Sequence, residues 1–312
     1  MSNGTDSKKS APAVQTTGHA WDGDLQEYNN PLPRWWLWTF YASIVFAIVY
    51  WILYPAWPVG KSFTKGIMND ITFVADDGQE VTTHWNTRSR LLNEMQFGDA
   101  SQRQAEYLRE IGASSYDEIL NDAEKLAFVR SMAKVTFADN CAGCHGSGGA
   151  GVLGLFPNLV DDDWLWGGTP AKIEETLVLG RQGFMPAFAE TFTPEQLDAV
   201  SQYVLDMSGV TGGDPEQIRV GQRIFNGLEG GCYYCHTKEG TGLQSQGAAN
   251  LTDSIWTVAK VPVADSYEAK KDAVEQVIYN GIQRHMPGWD GRLSSDEIKL
   301  LTAYVHSLGG GQ

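Results

Sequence analysis

The hydrophobic pattern divides the chain before any motif is read. No charged residue lies between Arg34 and Lys61, and Trp35 to Tyr54 reads WWLWTFYASIVFAIVYWILY. A helix of about 20 residues rises ~30 Å, one hydrocarbon thickness, so this run predicts a membrane-spanning segment. Trp35, Trp36 and Trp38 at one end, and Trp51, Tyr54 and Trp57 at the other, suit the two membrane interfaces, and Pro55 and Pro58 stop the helix. A long polar stretch precedes the run and no small-residue cleavage site follows it, which argues for a retained anchor over a signal peptide. The expected layout is a tail over 1–33 and an anchor over 34–57.

After the anchor the pattern turns short and polar. A short strand or hairpin is expected around Ile71 to Val81, with Asp76-Asp77-Gly78 at its tip, followed by polar helical stretches, and 58–120 reads as a connector and docking segment. From about Asp122 two units of like layout follow one another, joined at Gly209 to Pro215 (GVTGGDP). GRQGFMPAF from Gly180 lies in register over GIQRHMPGW from Gly281. Each unit has a helical run before a Cys pair and a capped amphipathic helix at its close, TPEQLDAVSQYVLDM from Thr193 and SSDEIKLLTAYVHSL from Ser294. In chain order this gives domains over 121–210 and 211–312.

Charge narrows the partners. The 312 residues carry a formal charge of -15, which excludes a nucleic-acid binder, since a phosphate backbone is held by clustered Lys and Arg. Only Asp6, Asp22, Asp24 and Glu27 precede residue 58, against the basic Lys8, Lys9 and Arg34, so nearly all the acid follows the anchor. That surface suits solubility and a basic partner alike. Lys61 and Lys65 on the far side leave charge bias undecided about orientation.

All 4 cysteines fall in two C-x-x-C-H runs, Cys141-Ala142-Gly143-Cys144-His145 and Cys232-Tyr233-Tyr234-Cys235-His236. One helical turn presents both thiols to the vinyl groups of a haem while the next residue, His, reaches the iron from the same face. A thioredoxin-like pair or a Cys/His zinc site is the alternative for one such motif; two motifs, each followed by Met-Pro, favour two covalent haem c groups. Met185 and Met286 are the expected sixth ligands beside His145 and His236, and a thioether opposite His raises the potential and closes the iron. His285 competes as a ligand, but its counterpart in the first unit is Phe184. Order alone pairs Met185 with the first haem and Met286 with the second, and a crossed pairing stays open. In the loops Phe156-Pro157-Asn158-Leu159 and Ala248-Ala249-Asn250-Leu251, a backbone carbonyl is expected to accept a hydrogen bond from the proximal His, with Ala249 serving where proline is missing. No catalytic residue set emerges, so the chain is expected to conduct electrons and not to be an enzyme by itself. Haem c is attached outside the cytoplasm, which places the haem domains there and the N-terminus inside.

His19-Ala20-Trp21-Asp22-Gly23, then Asn29-Asn30-Pro31-Leu32-Pro33-Arg34-Trp35-Trp36 and Tyr54-Pro55-Ala56-Trp57-Pro58, resemble the dihaem CcoP or FixP subunits of cbb3-type cytochrome c oxidases. The resemblance implies a mainly α protein, one N-terminal transmembrane helix followed by two tandem class I cytochrome c-like all-α domains. It implies an inner-membrane location with the haem domains in the periplasm. It further implies electrons taken from a soluble or membrane-bound cytochrome c and relayed, through a monohaem cytochrome c subunit, to the haem-copper catalytic subunit of a proton-translocating complex. Membrane lipid would surround the anchor.

Overall fold

The structure, a computed structural model, describes residues 15–310. Residues 1–14, which include Asp6, Lys8 and Lys9 of the expected tail, and residues 311–312 lie outside the described residues. The chain divides between Arg103 and Gln104 into two compact units.

In the first unit, β1 (Thr16–Trp21) and β2 (Leu25–Tyr28) form an exposed antiparallel hairpin that turns through Asp22 and Gly23, both at positive φ. Helix α1 (Arg34–Leu53) follows Pro33, whose fixed φ of -57° suits a helix start. It is apolar all round and none of its residues is buried, and its length and composition fit a membrane crossing. It ends as Tyr54 turns extended ahead of Pro55. Strands β3 (Pro58–Val59) and β4 (Ser62–Phe63) pair next. The expected hairpin is β5 (Ile71–Val74) and β6 (Glu80–Thr83), running Ile71 opposite Thr83 to Val74 opposite Glu80 around Gly78 at φ 80°. Helix α2 (Thr87–Phe97) is capped by Asn86, which accepts from Ser89 N. The Gln96 amide closes on both the N–H and the C=O of Val74 at 2.8 Å, continuing the hairpin edge with a side chain.

Helix α3 (Asp99–Ala113) carries the chain into the second unit. There follow α4 (Tyr116–Asn121), α5 (Ala123–Asn140), the single turn α6 (Ala142–His145), α7 (Pro170–Leu179), β7 (Arg181–Met185) and α8 (Pro194–Met207). Then come α9 (Pro215–Asn226), the single turn α10 (Tyr233–His236), α11 (Tyr267–Asn280), β8 (Ile282–Met286) and α12 (Ser295–His306). Both closing helices have the expected capping boxes, Thr193 with Gln196 and Ser294 with Glu297.

Two cores form in this unit, and they do not follow the boundary expected after residue 210. One joins Val129, Ala133 and Phe137 of α5 and Ile173 and Leu177 of α7 to Ile298, Leu301 and Val305 of α12, the last helix of the chain. The other joins Leu197, Val200 and Val204 of α8 to Ile224 and Phe225 of α9 and Val274 and Ile278 of α11. Each repeat thus gives its closing helix to the other repeat's core. The physical reason is the short joint from Ser208 to Asp214: it turns α9 back along α8 as a helical hairpin, leaving α12 to close on α5. Residues 181–280 accordingly form one lobe inserted in the other. The expected connector also ends earlier than residue 120, since Ile111 and Ile119 belong to the α5–α12 core.

Arg130 of α5 reaches Ser307 through Nε and Nη2 at 3.2 Å each, and Lys299 of α12 donates to the carbonyls of Gly112 and Ser114. Leu301 is fully buried between α5 and α7. Leu301→Ala is expected to cost about 2–5 kcal/mol and to speed hydrogen exchange in α5 and not in α9; a chain-order arrangement reverses that pattern.

Candidate functional site

Each C-x-x-C-H run closes one helical turn. Cys144 N and His145 N donate to the Cys141 carbonyl at 3.1 and 2.9 Å, and Cys235 N and His236 N to that of Cys232 at 3.2 and 2.9 Å. The turn places Cys141 against the α5–α12 core and leaves Cys144 exposed, while Cys232 packs against the α8–α9 core. Burial pushes the Cys141 and Cys232 thiols up to about 11. That protonated state disfavours a thiolate nucleophile or thiolate metal ligand. Among the described residues, no three His, Cys, Asp or Glu side chains group as a metal-ion site.

The loops after the motifs match closely. Gly151 N donates to His145 O and Gly242 N to His236 O, at 2.8 and 2.9 Å, and Leu159 N and Leu251 N donate to Gly149 O and Gly240 O at 2.7 Å. These turns bring the expected carbonyls to the imidazoles: His145 Nδ1 lies 3.0 Å from Pro157 O, and His236 Nδ1 2.9 Å from Ala249 O. A carbonyl oxygen only accepts, so each Nδ1 carries the proton and each Nε2 presents its lone pair. Burial also lowers both imidazole pKa values, outweighing the carbonyl bonds and favouring the neutral, ligating form.

The candidate methionines stand at opposite ends of one ribbon. Strands β7 and β8 pair antiparallel, with Arg181 opposite Met286, Gly183 opposite Arg284 and Met185 opposite Ile282, and these alternate residues share the more buried face. Phe184 and His285 point outward, which removes His285 from the face that carries Met286. Met286 packs against the same core as Cys141 and Ala142, and Met185 against the same core as Cys232 and Tyr233. Chain order would pair each methionine with the motif that packs on the other core. Gly180 and Gly281, at φ 71° and 67°, open these strands reciprocally: a Cβ on Gly180 would strike the backbone of Met286 to Gly288, and one on Gly281 that of Met185 to Ala187.

The donor set fits a haem. Each lobe offers two thiols, a neutral imidazole and a thioether. Two buried donors in the first-motif region, Arg284 Nη1 and Trp164 Nε1, have no partner among the described residues, which suits an acceptor carried by a bound group. Sequence reasoning passed over Trp164 and Trp256, which pack on the two cores at the same spacing after Asn158 and Asn250. That shared spacing was the available signal.

A family model described as the N-terminal domain of cytochrome oxidase-cbb3, FixP, matches residues 13–61. One described as cytochrome C oxidase, cbb3-type, subunit III matches residues 130–204 and 216–305. The chain is 42% identical over 310 residues to the cbb3-type cytochrome c oxidase subunit FixP of Azorhizobium caulinodans, covering 97% of this chain and 95% of that one. It is 39% identical over 307 residues to the FixP subunit of Bradyrhizobium diazoefficiens, with 95% of each covered. To the CcoP subunit of an Azospirillum species it is 37% identical over 323 residues, with 98% of each covered.

Between the lobes, burial pushes the Asp163 carboxyl from 3.8 up to about 6, with Asp253 and Asp161 adding repulsion, and its Oδ2 lacks a partner. A raised carboxyl favours the folded state most below its unfolded pKa and loses that contribution as pH climbs through the folded one. The melting temperature of Asp163→Asn should match the parent near pH 4 and exceed it increasingly up to about pH 6, then by a constant margin. Thermal melts across that range check it.

Proposed function

We propose, because this chain belongs to the FixP/CcoP family of cbb3-type cytochrome c oxidase subunits, that it is the electron-entry subunit of such an oxidase and would carry two haem c groups, each held with the methionine of the other repeat. Cys141, Cys144 and His145 hold the first group with Met286, and Cys232, Cys235 and His236 hold the second with Met185. The observation that carries this reading is that Met286 shares a core with Cys141, and Met185 with Cys232. When bound, haem c supplies a one-electron Fe(III)/Fe(II) couple.

The residues around each position do the rest. Pro157 and Ala249 orient the imidazoles, so Nε2 faces inward without a proton. Met185 and Met286 would complete the two ligand sets, which supports conduction over catalysis. The antiparallel ribbon joins the two methionines through five residues of paired backbone, which holds both centres in one rigid element.

The acidic excess after residue 58 suits a basic cytochrome c donor, soluble or membrane-bound. The α1 helix anchors the chain in the membrane. In our reading its N-terminal side faces the cytoplasm, the haem lobes lie in the periplasm, and electrons pass through a monohaem cytochrome c subunit to the haem-copper subunit that reduces oxygen and drives proton translocation.

Two results are expected. The chain should copurify from its native membrane with b-type haem and copper, and both Met185→Ala and Met286→Ala should abolish oxygen uptake while covalent haem stays attached. In a variant whose Cys232 and Cys235 are replaced by Ala, leaving one haem at Cys141 and Cys144, the methionine–iron charge-transfer band should vanish with Met286→Ala and survive Met185→Ala. The reverse outcome restores chain-order ligation, and purification without an oxidase removes the functional reading.

A further inference from the structure

Two arginines occupy the more buried face of the β7–β8 ribbon, and only one has an anion within the chain. Arg181 donates to Glu175 Oε1 at 2.8 Å and to Thr176 Oγ1 at 2.9 Å, and its guanidinium lies 5.0 Å from the Trp166 ring centre. Arg284 stands at the middle of the ribbon, on the face that bears both Met185 and Met286. Its Nη2 donates to the Gly154 carbonyl, in the loop after Cys144-His145, while Nη1 is buried without a partner. Of the salt bridges among the described residues, none involves Arg284.

A guanidinium removed from water without an anion is costly, and it cannot shed its charge. Its five N–H donors match planar oxyanions, with no acceptor of their own. A group that fills the site can supply that anion to the buried Nη1. Haem c carries two propionate carboxylates, on the edge away from the vinyl carbons that the cysteines bind. The bond to Gly154 holds the Arg284 side chain toward the first-motif loop, and the register mate Gly183 provides no matching cation for the other lobe.

We propose, resting on the crossed two-haem reading above, that Arg284 is the counter-ion of the propionates of the haem held by Cys141, Cys144 and His145, and raises that haem's reduction potential above that of its neighbour. The sign follows from Coulomb's law: the ferric state carries one more positive charge than the ferrous, so a nearby cation destabilises it, and losing the cation also exposes the propionates' negative charge to the iron. One arginine on an otherwise duplicated ribbon thereby separates two centres with the same ligand types.

The test is a spectroelectrochemical titration of the full-length protein with both haems attached, comparing the parent with Arg284→Gln. One midpoint should fall by about tenfold in its equilibrium constant, ~59 mV for one electron, and the other should hold. A Met185→His background identifies the centre, since the haem at Cys232 then gains bis-His ligation and titrates lower; the fall should appear in the haem that keeps its methionine. A fall in the His-ligated haem, equal falls in both, or no change overturns the proposal. If Arg284→Gln assembles without haem, Gly183→Lys carries the test. Its Cβ has room, with Arg284 Cβ the nearest atom at 4.0 Å, and it should raise one midpoint; unchanged midpoints overturn the proposal. Fewer than two covalent haems, or no methionine–iron band, in the parent would instead defeat the underlying reading.

Discussion

Strands β7 and β8 pair over five residues with Gly183 opposite Arg284 at their centre, and this pairing commits the second unit to its exchanged form. The strands lead directly into the segments before α8 and α12, so an antiparallel ribbon sends the two closing helices to opposite lobes. Gly180 and Gly281 tighten the arrangement, because each lies where only hydrogen fits against the other strand's Met-Pro backbone. Neither methionine can shift without disturbing the strand that carries its counterpart.

The same ribbon brings a shared electrostatic environment to two sites that the sequence separates. Its buried face holds both methionines and both arginines, while Phe184 and His285 face out. The loops after the two motifs also meet: Gly154 N donates to Thr257 O at 3.2 Å, and a side chain at Gly247 would strike Trp166. Rigidity here comes from backbone contact as much as from apolar packing.

Much of this was readable in advance, for physical reasons. An uncharged aromatic-flanked run has few alternatives to a spanning helix, and Asp76-Asp77-Gly78 between short β-prone runs marks a hairpin. The C-x-x-C-H turns, the capping boxes at Thr193 and Ser294, and the carbonyl partners of His145 and His236 are local features, set by residues close in sequence. The exchange was not readable, because α8 and α12 present equivalent faces, Leu197, Val200 and Tyr203 against Ile298, Leu301 and Tyr304. Either face suits either core, and only the short Ser208–Asp214 joint and the strand pairing decide between them. Trp164, Trp256 and the unpaired nitrogen of Arg284 were missed because their importance lies in what surrounds them, which spacing alone reports weakly.

The insertion of one lobe within the other also fixes an order of completion. A chain synthesised from its N-terminus has every element of the inserted lobe once residue 280 has emerged, whereas the outer lobe waits for α12, which ends at His306. The motif first encountered in the sequence is therefore the last to be enclosed. The core beside Cys141 stays unfinished for longer than the one beside Cys232, and a chain stopped just short of α12 would have a finished inner lobe beside a half-built outer one.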